Sequence, residues 1–358
     1  MRVLIALLAW LAGAPALAQG FAGLGTEAEG FAVPQRGHAF DFPEDHGTHP
    51  DYRIEWWYLT AVLEGEDGTE YGAQWTLFRS ALAPGEGDGF ASPQLYMGHA
   101  GLTTPDTHFH AERLGRGGVG QAGVEIAPFR AFIDEWEMVS TADGGDALDA
   151  LSLFARGPDF AYRLDLQAEG PLVFHGEDGY SVKSAAGQAS YYFSQPFYQV
   201  EGVLSLPEGE VAVSGQAWLD REWSSQPLSE DQRGWDWVSL HFEDGSKLMG
   251  FQLRQTGGTV YTSASFIEPD GALTAYEDGA LTLTPLRTAD VAGRAVPVRW
   301  RVELPARGID VEIEALNDQS WMATRFSYWE GPVSITGTHG GRGYLEMTGY
   351  EPDEATPG

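Results

Sequence analysis

A chain of 358 residues with 52 acidic against 21 basic side chains carries a formal net charge of −31, which repels phosphate backbones and anionic lipid surfaces and excludes nucleic acid as a natural partner. Hydrophobic residues make up 43% and aromatic residues 12%, enough for a sizeable packed core, which excludes intrinsic disorder. With no cysteine there are no disulfides, and the core alone must hold the fold.

Residues 1–18, MRVLIALLAWLAGAPALA, place Arg2 before an apolar stretch from Val3 to Ala14 and end on Ala16-Leu17-Ala18. This is the pattern of a secretory signal peptide with an A-x-A site, and cleavage is expected between Ala18 and Gln19. The apolar run is too short to span a bilayer and no later run is long enough, so the mature chain is expected to be soluble, without a transmembrane segment, and periplasmic or secreted. No cysteine follows the cleavage site to take the lipid of a bacterial lipoprotein. Residues 19–36 read as an N-terminal linker and 353–358 as a tail.

Turn signals then recur: EDG at 66–68, GEG at 85–87, EDG at 243–245 and PDG at 269–271. Between them apolar residues alternate with polar ones, as in YGAQWTLF at 71–78, LDLQ at 164–167 and VRWRVEL at 298–304. Period-2 alternation bounded by turns is the pattern of antiparallel strands. Only 106–114 reads as a short helix, stopped at Gly115. The fold class is all-β.

A diverged internal repeat divides the chain. EGVLS at 201–205 leads through a turn to GQAWLD at 215–220, and EGPVSI at 330–335 leads through a Gly-rich turn to GRGYLE at 341–346, an offset of 126 to 129 residues. Each half ends in a similar hairpin with an aromatic-Leu-acid exit. Two related β domains are expected, 37–225 and 226–352; chance likeness of two amphipathic hairpins is the alternative.

The period of two converts each Trp-rich segment into two faces. In 218–223, Trp218, Asp220 and Glu222 share one face, and Leu219, Arg221 and Trp223 the other. In EWWY at 55–58, Glu55 and Trp57 oppose Trp56 and Tyr58. In 235–241, Trp235, Trp237, Ser239 and His241 oppose Asp236, Val238 and Leu240. An aromatic face dotted with carboxylate, hydroxyl and imidazole groups suits a barrel interior that binds a largely apolar ligand. Trp57, Trp218, Glu222, Trp235 and Trp237 are the ligand-binding candidates. Asp220, an acid on an aromatic wall, has its charged form disfavoured and can donate a proton. Glu55 and His241 are candidates for a second group that activates water. The competing reading is structural: indoles fill cores for their area, and Arg221 is an ion-pair partner of Glu55, Asp220 or Glu222.

The histidines of DHGTHPD (45–51) and DTHFH (106–110) sit in loop-like sequence. His108 and His110 could share a metal on a strand, but no HExxH or three-His spacing appears, and no metal is expected. No G-x-S-x-G elbow, phosphate loop or dinucleotide fingerprint is present, so no cofactor is expected.

Six stretches carry a resemblance: FPEDHGTHPD (42–51), EWWY (55–58), GQAWLDREWS (215–224), GWDW (234–237), YWEG (328–331) and GYLEMTGY (343–350). Together they resemble the AttH family, exported proteins related to carotenoid 1,2-hydratase and also described as secreted hydrolases. The resemblance runs from about Phe40 to Tyr350. It implies two tandem lipocalin-like antiparallel β-barrels, a hydrophobic isoprenoid or lipid-like ligand, and, from the hydratase relatives, addition of water to an isolated double bond without a cofactor. Asp220 falls on the acid of the hydratase pattern. Trp218 stands where those enzymes have tyrosine, and YYFSQP (191–196) lacks their upstream histidine. AttH-type members often accompany an ABC exporter, which makes an ABC transporter complex a candidate partner.

Three functions follow as expectations. The first is an exported lipocalin-like carrier of a hydrophobic molecule. The second is a cofactor-independent hydro-lyase or hydrolase with Asp220 as general acid. In the third, the Trp-rich motifs only join two barrels into a scaffold.

Overall fold

The computed structural model describes residues 29–352 apart from Pro227 and Glu230. The expected signal peptide, the first part of the linker and the tail lie outside the described residues. The chain is all-β and folds as two lipocalin-like barrels, one nearly closed and one a half-barrel. Among the described residues the helical elements are three short 3-10 turns, at Glu44–His46, Gly89–Ala91 and Pro305–Arg307.

The first sheet is built from β1 (Ile54–Gly65), β2 (Glu70–Ala81), β3 (Gln94–Thr103), β4 (His108–Arg116), β5 (Ala122–Ile126), β6 (Phe129–Ile133), β7 (Trp136–Ser140), β8 (Ala150–Arg156) and β9 (Ala161–Ala168). Two short strands, β10 (Val173–Phe174) and β11 (Tyr180–Val182), and the long hairpin β12 (Ala189–Leu206) and β13 (Gly209–Ser224) complete it. Its order is β4-β3-β2-β1-β13-β12-β9-β8-β7-β6-β5, with β10 and β11 beside β12. The two edges curl together: a Cβ added at Gly115 of β4 would lie 2.9 Å from the Ala122 Cβ of β5. Only a residue without a side chain allows that approach.

The second sheet holds β14 (Gln232–Phe242), β15 (Lys247–Gln255), β16 (Val260–Ile267), β17 (Leu273–Tyr276), β18 (Thr282–Val291), β19 (Arg294–Leu304), β20 (Ile309–Ala315), β21 (Trp321–Met322), β22 (Tyr328–Gly337) and β23 (Gly341–Met347). Its order is β17-β16-β15-β14-β23-β22-β20-β19-β18, with β21 beside β22. The chain passes from one sheet to the other between Ser224 and Gln232.

Strands covered on one side alternate as the sequence leads one to expect. In β9, Tyr162, Leu164 and Leu166 are buried while Arg163, Asp165 and Gln167 are exposed. β1 and β13 behave differently and are buried on both faces along much of their length. Their inner faces join the first barrel's core through Trp57, Leu59, Leu219 and Trp223. Their outer faces, with Tyr58, Val62 and Trp218, join a third core shared with Trp237, Phe251 and Tyr344 of the second domain. The second barrel has its own core around Trp300 and Trp329.

Two expectations are corrected here. Residues 106–114 form a turn and the strand β4, not a helix, because β4 pairs with β3 along its whole length, from Thr103 opposite His108 to Leu95 opposite Arg116. Pairing with a neighbour outweighs weak local helix preference. The first barrel's interior is packed with Trp57, Trp75, Trp136 and Trp223 and is not a ligand chamber. The face of 218–223 and 235–241 expected to line a barrel interior, with Trp218, Trp237 and His241, is the outer one, buried because the other domain covers it.

Candidate active site

A cavity of 470 Å³ lies between the domains, within the size range of small-molecule sites. Outer-face residues of the first sheet form one wall, among them Trp56, Tyr58, Phe78 and Met97. Trp235, Trp237, Phe251 and Leu253 of β14 and β15 form the other. Into this apolar space come Asp220 and Glu222 from β13, Lys183, Tyr192 from β12, Tyr328 from β22 and Glu346 from β23.

Asp220 is held by three donors. Ser194 Oγ and Trp218 Nε1 donate to Oδ1 at 2.5 and 2.6 Å, and Tyr192 Oη donates to Oδ2 at 2.8 Å. Behind Ser194, His175 Nε2 lies 2.7 Å from its Oγ, and His175 Nδ1 lies 2.9 Å from Ser265 Oγ of the second domain. Burial pushes the Asp220 carboxyl up from 3.8 to about 7; the three donors oppose the rise and the neighbouring Glu222 adds to it. Near neutral pH this carboxyl keeps a proton for a substantial part of the time. Glu222 is paired with Lys183 at 2.9 Å, and the Lys183 ammonium sits over the rings of Tyr192 and Phe251.

A second acidic cluster comes from β22 and β23. Glu330 and Glu346 are direct cross-strand partners. Trp235 Nε1 donates to Glu346 Oε1 at 2.5 Å, and Tyr58 Oη donates to Glu330 Oε1. Burial raises Glu346 to about 7, with Asp220 and Glu222 adding to the rise against the hydrogen bonds of Trp235 and Tyr58. Glu346 is half-buried and borders the cavity. Burial and the Glu346 charge put Glu330 well above the usual carboxylate range. Tyr328 Oη is 2.9 Å from His99 Nδ1, whose Nε2 is 3.3 Å from Glu112 at the surface.

The sequence-derived candidates separate on this geometry. Asp220, Glu222, Trp235 and Trp237 line the cavity. Trp218 does not, and serves Asp220 as a donor from the shared core. Trp57 does not either: its indole is in the first barrel's core, donating to the His46 carbonyl at 2.9 Å, and the EWWY residues that face the cavity are Trp56 and Tyr58. Glu55 borders the cavity, but its carboxylate is spent on Arg79 and Arg221 at 2.8 Å each and His49 at 2.6 Å. Burial alone would raise it, and those three cations hold it below the usual range instead, so it has no basicity left for water. His241 lies off the cavity with Nδ1 3.2 Å from Lys247 Nζ. Burial, with Lys247 adding to it, keeps the ring neutral.

Arg221 is structural, as the competing reading has it. Besides Glu55 it donates to the Trp56 and Gly47 carbonyls at 2.9 and 2.8 Å, and its guanidinium stacks 4.0 Å from the Trp57 ring centre. The DHGTHPD segment supplies His49, which stacks on Trp223 at 3.8 Å. His108 and His110 do lie on one strand, with centroids 6.0 Å apart; His108 Nε2 meets Met322 Sδ at 3.3 Å. Among the described residues no three His, Asp or Glu side chains are grouped to hold a metal ion.

Sequence reasoning missed Glu346, Lys183, Tyr192 and His175. For Glu346 the signal was present: the repeat aligns Trp218-Leu219-Asp220 with Tyr344-Leu345-Glu346. His175 reaches Ser194 across nineteen positions of sequence, a meeting that no local pattern announces.

The AttH-like family model matches residues 33–350. An AttH-type protein of Nitrosomonas europaea has a crystal structure similar to this one, at 34% identity and a TM-score of 0.79, covering 90% of this chain and 100% of that one. Kievitone hydratase of Nectria haematococca shares the fold at 14% identity and a TM-score of 0.68, over 90% of this chain and 96% of its own. CghA does so at 13% identity and a TM-score of 0.53, over 91% and 97%. No curated protein matches the chain.

Proposed function

This chain belongs to the AttH-like family, and from that premise we propose that it binds a largely apolar, isoprenoid or lipid-like molecule between its domains and acts on it as a cofactor-independent hydro-lyase, with Asp220 as general acid. One observation carries the reading: a carboxyl raised to about 7 stands on the aromatic wall of a 470 Å³ cavity. A carboxylic acid of that strength, shielded from water, can protonate a double bond or the oxygen of a leaving alcohol. Burying it costs folding free energy that a purely apolar pocket would not require. The hydratase that shares the fold supports the reaction class.

The export pattern of residues 1–18 supports work outside the cytoplasm, periplasmic or secreted. No helix among the described residues is long and apolar enough to cross a membrane. The carrier reading, with delivery to or from an ABC transporter, draws on the same apolar walls. The test is native mass spectrometry of the mature protein recovered from its host, with the bound molecule released and incubated with fresh protein in heavy-oxygen water. Gain of one heavy water supports the hydro-lyase. A bound apolar compound that returns unchanged refutes it in favour of the carrier.

A further inference from the structure

We propose that Glu346 is the second acid–base group of the cavity, taking a proton from the water that adds to the substrate while Asp220 delivers one to its carbon. The proposal rests on the hydro-lyase reading and assigns the residue that reading lacks.

Position is the first ground. Asp220 and Glu346 occupy the same place in the internal repeat, at the end of Trp218-Leu219-Asp220 on β13 and of Tyr344-Leu345-Glu346 on β23. Each is paired across a neighbouring strand with an aromatic residue of the shared face: Asp220 with Tyr58, Glu346 with Trp237. Those two rings meet edge to face, with centroids 5.4 Å apart. The two hairpins thus present equivalent faces to each other, and two equivalent acids border one cavity from opposite domains.

Surroundings are the second ground, and here the two acids differ. Oδ1 of Asp220 is saturated by Ser194 and Trp218, which leaves Oδ2, beside Tyr192, to carry the proton. Glu346 has the Trp235 N–H and shares the Tyr58 hydroxyl with Glu330. Glu330 is 1% exposed, does not line the cavity and is kept protonated by burial and by Glu346. Adjacent carboxylates resist double ionisation, so a neutral Glu330 leaves Glu346 free to give up its proton.

The charged and titratable groups around Glu346 are Asp220 and Glu222 of β13, Tyr58 of β1 and Tyr328 and Glu330 of β22, with Glu55, Arg79, Lys183, Tyr192 and Arg325 also bordering the cavity. The negative charge of Asp220 discourages that of Glu346, so near neutrality the pair favours one proton between them.

That protonation state fits addition of water to an alkene. The π electrons take the Asp220 proton to form a C–H bond. A water oxygen forms the C–O bond at the neighbouring carbon, and the water's proton passes to Glu346. Asp220 is left ionised and Glu346 protonated, and exchange with water after product release restores the start. Dehydration of a tertiary alcohol is the same path reversed. The substrate is therefore an uncharged, mainly apolar molecule with a double bond whose protonation gives a tertiary or allylic cation, or the corresponding alcohol.

The test uses the mature protein and the acyclic isoprenoid tertiary alcohol linalool in heavy-oxygen water, with label in the alcohol read by mass spectrometry and binding read by tryptophan quenching. Wild-type protein is expected to exchange the oxygen with a bell-shaped pH profile around pH 7. Glu346→Gln is expected to bind linalool as wild type does and to exchange roughly 10²–10⁴ times more slowly. Glu346→Asp, which keeps the carboxyl, is expected to recover part of the rate and guards against misfolding of the amide variant. Exchange by Glu346→Gln at the wild-type rate and pH profile overturns the assignment of Glu346 and leaves Asp220 standing. Wild-type protein that fails to exchange the oxygen, whether or not linalool binds, overturns the hydro-lyase reading and this proposal together.

Discussion

Asp220→Asn keeps the shape of the side chain and removes its titration, which makes it a probe of folding as well as of chemistry. In the unfolded chain this carboxyl loses its proton near 3.8, and in the folded protein it holds it to about 7. Between those values the folded state binds one more proton than the unfolded state. Stability therefore falls as pH rises through the window, and the loss is complete above about pH 7. Roughly three pH units at about 1.4 kcal/mol each make about 4 kcal/mol. The asparagine variant lacks this slope. Urea unfolding of both proteins from about pH 4 to pH 8, taken as variant minus wild type, cancels titration of groups remote from Asp220. The variant is expected to gain about 4 kcal/mol on wild type across that range while losing turnover. The amide places an NH₂ group near donors from Ser194, Tyr192 and Trp218 and shifts the whole curve, but not its slope. A difference that stays flat with pH would refute the raised carboxyl, and with it the general acid.

Arg221→Met leaves the buried Glu55 carboxylate with Arg79 and His49 alone, and unfolding in urea is expected to show a loss of about 3–5 kcal/mol with no change in ligand binding. A loss below about 1 kcal/mol would contradict the structural role given to that pair. Gly72→Val tests the docking of the domains, because a Cβ there would lie 2.5 Å from Pro332 Cγ across the interface; a stability loss of about 1–3 kcal/mol is expected, together with weaker binding in the cavity. Phe251→Trp places more ring into the cavity from β15. A neutral naphthylamine dye followed by fluorescence is expected to bind on the order of tenfold more weakly, and unchanged affinity would remove the interdomain cavity as the binding site.

Much of this architecture can be read from local pattern. Alternation in stretches such as Leu164-Asp165-Leu166-Gln167 marks strands because a half-buried sheet needs one apolar face. The repeat from 201–220 to 330–346 marks two hairpins, β12–β13 and β22–β23, that occupy corresponding places in the two sheets. Asp220 stands out for a local reason as well, being an acid set among indoles. Residues 106–114 read locally as a short helix, and only the pairing that β3 supplies makes them a strand.

Sequence by itself determined the all-β class, and it singled out two similar hairpins and the acid at position 220 as candidates, since each depends on neighbours a few residues apart. It could not decide which face of a strand is cavity. A period of two divides Glu55 and Trp57 from Trp56 and Tyr58 but is silent on which side chains reach the cavity. In β1 and β13 both faces are buried, so apolar character does not separate them. The answer came from the stacking of one sheet's outer face on the other's. That contact turned Tyr58 and Asp220 toward a cavity, left Trp57 in the first barrel's core, and brought Glu346 to the same space from 126 residues further along the chain.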